Sequence, residues 1–475
     1  MSSETIETSL MSIGNPLATC LSSIALTLSC GASSVQAQLT DFDFTEEIVE
    51  LPEGFSPVCI DLADLDQDGD LDAVVCGRNI DGLAMILEGA SDGTLTPTVE
   101  LAVPDQMDWA EFGDFNEDGL VDIVLGSRSW VGLVVIFDGQ PGGGFAEEAR
   151  TLRLCREVRA TRVGDLDQDS HQDLVVVGHS SEEIRTLMGD GSGSFESGTR
   201  LRASPWRNGY PYPQSAELID LDSDGFLDIA SIGLGSRTID FSFNDGLGGF
   251  DRTRSWTGPV FEDETRPGCS YGEWADFDGD GRLDCLLSLT NFGTQRFAIL
   301  ELDQSGDIIE TTIHPGSPSG LSWTPCSGDF DGDGDPDAVI GHALPGTIAF
   351  FENVTGSEGE LEFLFPQVFV GTQFIRYLRS IDLDQDGDAD LIAADFSADR
   401  LIIFRNNLVG ALPGDDDRTR TTARPSAESV RSQSALEDDG RDGASLVKWL
   451  SDLSAPEVRD LLADPTDRPL AGGGR

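Results

Sequence analysis

Residues 64–72 read Asp64-Leu65-Asp66-Gln67-Asp68-Gly69-Asp70-Leu71-Asp72, and the pattern Asp-x-Asp-x-Asp-Gly-x-x-Asp returns six more times, starting at Asp114, Asp165, Asp220, Asp276, Asp329 and Asp382. Successive starts lie 50, 51, 55, 56, 53 and 53 residues apart. Carboxylates at positions 1, 3 and 5 converge on one point if the chain coils tightly, and position 9 can close the cage. Ca²⁺ asks for such a donor set, about 6–8 hard oxygen ligands. Position 6 then needs a sharp turn, which glycine enters at little steric cost. Apolar residues follow at once (Ala73-Val74-Val75), so the loop joins strands rather than helices.

The predicted ligand positions can be written out copy by copy. They are Asp64, Asp66, Asp68 and Asp72 in the first, and Asp114, Asn116, Asp118 and Asp122 in the second. Asp165, Asp167, Asp169 and Asp173 form the third, and Asp220, Asp222, Asp224 and Asp228 the fourth. Asp276, Asp278, Asp280 and Asp284 form the fifth, and Asp329, Asp331, Asp333 and Asp337 the sixth. The seventh holds Asp382, Asp384, Asp386 and Asp390. Up to seven Ca²⁺ ions, one per repeat, are therefore expected. The closing acid comes three residues earlier than in an EF-hand, so that loop is a poor template. Asn116 loses a charge but keeps an oxygen, and Ser170 replaces the position 6 glycine, so the second and third sites are expected to be weaker.

A period near 50 residues points to a propeller, solenoid or array. In the second unit four short apolar runs occur, at Trp109–Phe112, Ile123–Leu125, Leu133–Phe137 and Thr151–Leu154. The first two flank the acidic loop; the last two flank a glycine-rich turn, 138–145, that recurs at 189–195 and 244–250. Short runs broken by Gly, Asp and Asn read as antiparallel strands with tight turns. Four strands repeated seven times predict an all-β chain, a seven-bladed β-propeller of four-stranded antiparallel blades. The last unit has no fourth run after Leu401–Phe404, whereas Phe42–Leu51, ahead of the first loop, resembles one. This N-terminal strand is expected to complete the last blade and close the ring, which removes an exposed sheet edge.

On these loops and their flanking strands, over about residues 41–410, the chain resembles the FG-GAP/VCBS repeat proteins, whose relatives include the integrin α-subunit propellers. The resemblance is specific in the loops and loose elsewhere. A Phe-Gly-Gly-Ala-Pro stretch is not present as such, so integrin-like ligand recognition does not carry over. The resemblance implies a calcium-stabilised, extracellular propeller, often part of an adhesion or carbohydrate-related protein.

The formal net charge is −56. The ligand positions of the loops account for 27 of the 86 acids, and the other 59 still outnumber the 30 bases, so metal binding explains only part of the acidity. Nucleic acid, itself a polyanion, is disfavoured as a partner. Residues 17–30 are apolar and Val35-Gln36-Ala37 offers a small-x-small cleavage site, although no Lys or Arg precedes Arg78; residues 1–37 are read as a signal peptide and the chain as secreted or cell-surface. No other stretch is apolar enough to span a membrane. Residues 38–410 form the propeller, 411–443 a linker without apolar periodicity, and 444–475 a short helical tail in which Leu446, Trp449, Leu450 and Leu453 share a face. Cys59 and Cys76 flank the first loop and should stand opposite each other, either as a cross-strand disulfide or as buried thiols.

Acidic loops and glycine-rich turns share one face of such a ring, so the less repetitive residues lie on the other. There the candidate ligand platform is Trp130, Trp206, Arg207, Tyr210 and Tyr212, side chains suited to stacking on sugars or anchoring a protein. The favoured function is a binding or adhesion module for carbohydrate or extracellular protein. The alternatives are a polysaccharide lyase or hydrolase and a structural role in surface assembly. His179 and His342 come from distant units, and His-Glu-x-x-His, Gly-x-Ser-x-Gly and P-loop motifs are absent, so no catalytic residue is assigned.

Overall fold

Behind every acidic loop lies a strand buried from end to end: Asp72–Gly77, Asp122–Ser127, Asp173–Gly178, Asp228–Gly233, Asp337–His342 and Asp390–Asp395, with Asp284–Thr290 buried in all but its last residue. Burial on both faces requires a partner strand on each edge and another layer above and below. The computed structural model supplies both. It describes residues 42–408 apart from 79–81, 204–211, 235–236, 259–267, 291–295, 317–320, 344–345, 357–360 and 365. The predicted signal segment, linker and helical tail, together with Trp206, Arg207 and Tyr210, lie outside the described residues. The described residues all belong to one compact unit.

Seven four-stranded antiparallel sheets follow one another as simple meanders. Blade 1 spans 57–102, blade 2 107–153, blade 3 158–202, blade 4 213–257, blade 5 268–315 and blade 6 322–370. Blade 7 takes three strands from 375–406 and its fourth from Phe44–Glu50, which pairs antiparallel with Arg400–Asn406 over seven residue pairs. First strands of successive blades pack against each other, and that of blade 7 meets that of blade 1, so the ring closes around an axis lined by first strands. Fourth strands form the rim and alternate outward, as Phe195–Arg202 does.

Phenylalanines fix the N-terminal strand in place. Phe44 packs on Phe350 of blade 6 and Phe404 of blade 7, with centroids 4.8 and 6.2 Å away, and Phe42 lies 5.4 Å from Phe350. The Gln367 side chain accepts from the Phe42 N–H at 2.9 Å and donates to the Phe42 carbonyl at 3.1 Å, tying the strand to blade 6. The link onward to blade 1 is held by Asp399, whose carboxylate accepts from the N–H groups of Gly54 and Ser56.

One irregularity recurs in all seven blades. The pairing of first and second strands slips near the start of the first strand, at 57–59, 107–109, 158–160, 213–215, 269–272, 322–324 and 375–377. Such a bulge bends the strand and re-aims a side chain. Cys59 and Cys76 are directly paired, as their spacing predicts, and both are free buried thiols.

Candidate metal centres and the opposite face

The acidic loops are built the same way seven times. The position 1 carboxylate accepts the N–H of position 6 at 2.8–3.1 Å in every copy. The position 5 carboxylate accepts the N–H of position 7 at 2.9–3.2 Å. The position 9 carboxylate accepts the N–H of position 2 at 2.8–3.1 Å, which folds the loop back on itself. Position 6 has φ between 84° and 99° wherever it is glycine, and Ser170 is forced to 75°. Position 4 is left-handed too, with Gln67 at 66° and Gln168 at 58°.

This coiling gathers carboxylates. In the first, third, fourth and fifth loops, oxygens of positions 1, 3 and 9 lie within 4.8 Å of one another; in the sixth, the group is Asp329, Asp331 and Asp333. Asp68, Asp169, Asp224 and Asp280 at position 5, and Asp337 at position 9 of the sixth loop, stand outside these triads. Burial, reinforced by neighbouring acids, pushes Asp173 and Asp228 up to about 6, Asp331 and Asp284 to about 7 and Asp337 to about 8. Oδ1 of Asp165, Asp222 and Asp384 is buried with no hydrogen-bond partner. Crowded, partly dehydrated carboxylates with oxygens to spare are what a hard divalent cation relieves. Arg252 and Arg282 already lie against Asp222 and Asp280 and offset part of that charge.

Neighbouring loops are also joined to one another. Gln67 donates to the Gly119 carbonyl at 2.8 Å, Gln168 to Gly225 at 3.1 Å and Gln385 to Gly69 at 2.6 Å, the last crossing from blade 7 to blade 1. His171 pairs with Glu117 between the second and third loops.

On the opposite face Trp130 is 58% exposed, and the Arg156 guanidinium lies 4.7 Å from its ring. Both border a cavity of about 490 Å³ between blades 2 and 3, lined also by Arg153, Arg185 and Arg200. Tyr212 sits at φ 44° with its ring stacked on His179 at 4.8 Å, so one ring face is already used. The histidines stay apart. Burial pushes His179 well down, and it faces the Pro213 carbonyl. His342, the last residue of a second strand, is wholly buried and pushed down to about 4. His314 of blade 5 is held between Phe297 of the same blade and Phe363 of blade 6.

The axis carries charges that the repeat reading passed over. Three residues before the loops come Asp61, Glu111, Arg162, Glu217, Glu273 and Arg379, with Cys326 the exception. Arg162 of blade 3 bonds Glu217 of blade 4 at 2.8 Å and Glu111 of blade 2 at 3.2 Å, and Arg379 of blade 7 lies 3.4 Å from Asp61 of blade 1. A single charged residue at a fixed offset from six of the seven loops was the signal available in the sequence. Beside this layer Trp109, Tyr271 and Tyr377 pack together from three blades.

A family model described as an FG-GAP-like repeat matches residues 64–125, 165–231, 220–287 and 276–340, together half of the chain. No curated protein matches it. Among solved structures, BBS1N in complex with ARL6DN, soaked with mercury, is 12% identical with a TM-score of 0.51, over 77% of this chain and 97% of that one. The lead-soaked crystal of the same complex gives 13% and 0.51, over 78% and 98%. A protein from Lactobacillus plantarum gives 14% and 0.46, over 68% and 95%. At these identities the likeness is one of fold.

Proposed function

The chain belongs to the FG-GAP-like repeat family, and from that premise we propose that it is a secreted or cell-surface binding propeller, clamped by calcium on one face and holding carbohydrate or extracellular protein on the other. Asp64, Asp66 and Asp72 and their counterparts would hold the ions, with position 5 and backbone oxygens completing each set. Bound calcium would supply charge neutralisation and cross-linking within each loop, and no chemistry is required of it. Among the described residues no helix is long and apolar enough to cross a membrane.

The observation that carries the binding reading is Trp130. A large aromatic left mostly exposed beside a cavity, with a guanidinium against its face, has the character of an interface anchor. Arg153, Arg156, Arg185 and Arg200 line the same cavity with Glu183 as its acid, a local excess of positive charge on a chain of net charge −56. The similar propeller BBS1N was crystallised with a protein partner. By their place in the sequence, just ahead of the first strand of blade 4, Trp206, Arg207 and Tyr210 are proposed together with Tyr212 as further members of the platform. Screening glycans and matrix proteins against the calcium-loaded chain should identify a ligand whose affinity falls about tenfold or more in Trp130→Ala. Unchanged binding in that variant would refute the assignment of this face.

A further inference from the structure

At the end of the axis away from the acidic loops, four blades direct charged side chains toward one place. Asp108 of blade 2, Arg159 of blade 3 and Arg376 of blade 7 each occupy the slipped position of their first strand, where the bulge re-aims the side chain. Arg78 of blade 1 follows that blade's second strand and reaches the same point. Asp108 accepts from Nη2 of Arg78 at 2.8 Å and Nη1 of Arg159 at 2.7 Å, and Arg78 and Arg159 hold its carboxyl well below the usual carboxylate range against its burial.

The cations outnumber this acid. Arg376 is 5% exposed, makes no ion pair among the described residues, and lies 4.8 Å from the Trp323 ring. Its Nε is buried without a hydrogen-bond partner, and so is the Nε of Arg159. Burial, together with repulsion from Arg78 and Arg159, pushes Arg376 down to about 10. Arg78 and Arg128, the residue that follows blade 2's second strand, have further partners, which leaves Arg159 and Arg376 as the donors in hand. A buried guanidinium lacking a counter-charge is strongly unfavourable, and planar N–H forks are matched by oxyanions.

We propose that the mouth of the axis is an oxyanion-binding site, in which Arg376 and Arg159 seat a carboxylate or sulfate group of a small ligand. Asp108 acts there as a positioning residue, orienting Arg159 and Arg78 rather than touching the ligand. The site shares no lining residue with the Trp130 cavity between blades 2 and 3, and neither assignment depends on the other.

The test is calorimetric titration of the calcium-loaded full chain with sulfate and with glucuronate, taking glucose as the neutral probe. At least one anion should bind and glucose should not; which anion binds separates a sulfate from a carboxylate ligand. Arg376→Gln and Arg159→Gln should each weaken that binding about tenfold or more, while Arg254→Gln on the rim of blade 4 leaves it unchanged. Circular dichroism establishes that each variant is folded, and if Arg376→Gln is not, Arg159→Gln carries the test alone. Absence of anion binding to the natural chain, or full binding by the folded variants, overturns the proposal. Trp130→Ala should leave sulfate and glucuronate binding intact, so failure of one site is distinguishable from failure of the other.

Discussion

Ser170 shows how much one residue can report. Its loop is the only one of the seven in which position 5 does not donate to the position 1 carboxylate, and Oδ1 of Asp165 there is left unbonded. Holding a non-glycine residue at φ 75° is strained. Ser170→Gly should raise stability by about 0.5–1 kcal/mol after glycine's own entropic loss, read from the denaturation midpoint. An unchanged or lower midpoint would mean that the serine side chain serves the loop in another way. Glu273 makes the second residue-scale case. Burial, with Glu217 nearby, pushes its carboxyl from 4.5 to about 7. The folded state therefore binds the extra proton between these values, and stability is lost as pH rises from 4.5 through 7. Glu273→Gln should match the natural chain near pH 4 and exceed it by about 1–2 kcal/mol at pH 8, allowing for screening in the channel. Parallel pH profiles would contradict the assignment.

At the scale of elements, the N-terminal strand decides whether the ring stays shut. It completes the blade 7 sheet, and Phe42 and Phe44 insert among the aromatics of blades 6 and 7. Phe42→Ala should cost about 3 kcal/mol and, by freeing the edge of Arg400–Asn406, promote association between chains. A thermal melt followed by light scattering checks both effects, and a variant that melts like the natural chain would show that the ladder alone holds the ring. This strand was legible in the sequence because it matches the missing fourth run of the last unit. The bulges were not legible, since slippage in pairing leaves no mark on apolar alternation. They are nevertheless what brings Asp108, Arg159 and Arg376 to one point.

For the whole molecule, the seventh, first, second, third and fourth acidic loops are joined in series through Gln385, Gln67, the His171–Glu117 pair and Gln168, so cation loss at one of these sites should loosen the next. A ligand that binds only the folded state adds about 2.7 kcal/mol per site at a hundredfold excess over its Kd. Metal analysis of the purified chain should find several Ca²⁺, and a chelator should lower the Tm by well over 10 °C if most loops are filled. No bound metal together with an unshifted Tm would refute calcium clamping.

The sequence by itself determined the repeat, the strand count, the closure by the N-terminal strand and the residues gathered in the acidic loops. The repeat, the strands and the loop residues rest on interactions local to one unit, where spacing and residue type suffice, and the closing strand shows as the fourth run missing from the last unit. Tertiary structure alone decided which carboxylates in a loop converge, that Tyr212 spends a ring face on His179, and that the charges preceding the loops pair between neighbouring blades around the axis. Convergence within a loop depends on its left-handed turns and backbone hydrogen bonds, and the other two depend on contacts between neighbouring blades, whose geometry is set by the twist of each sheet and the closing of the ring rather than by any pattern along the chain.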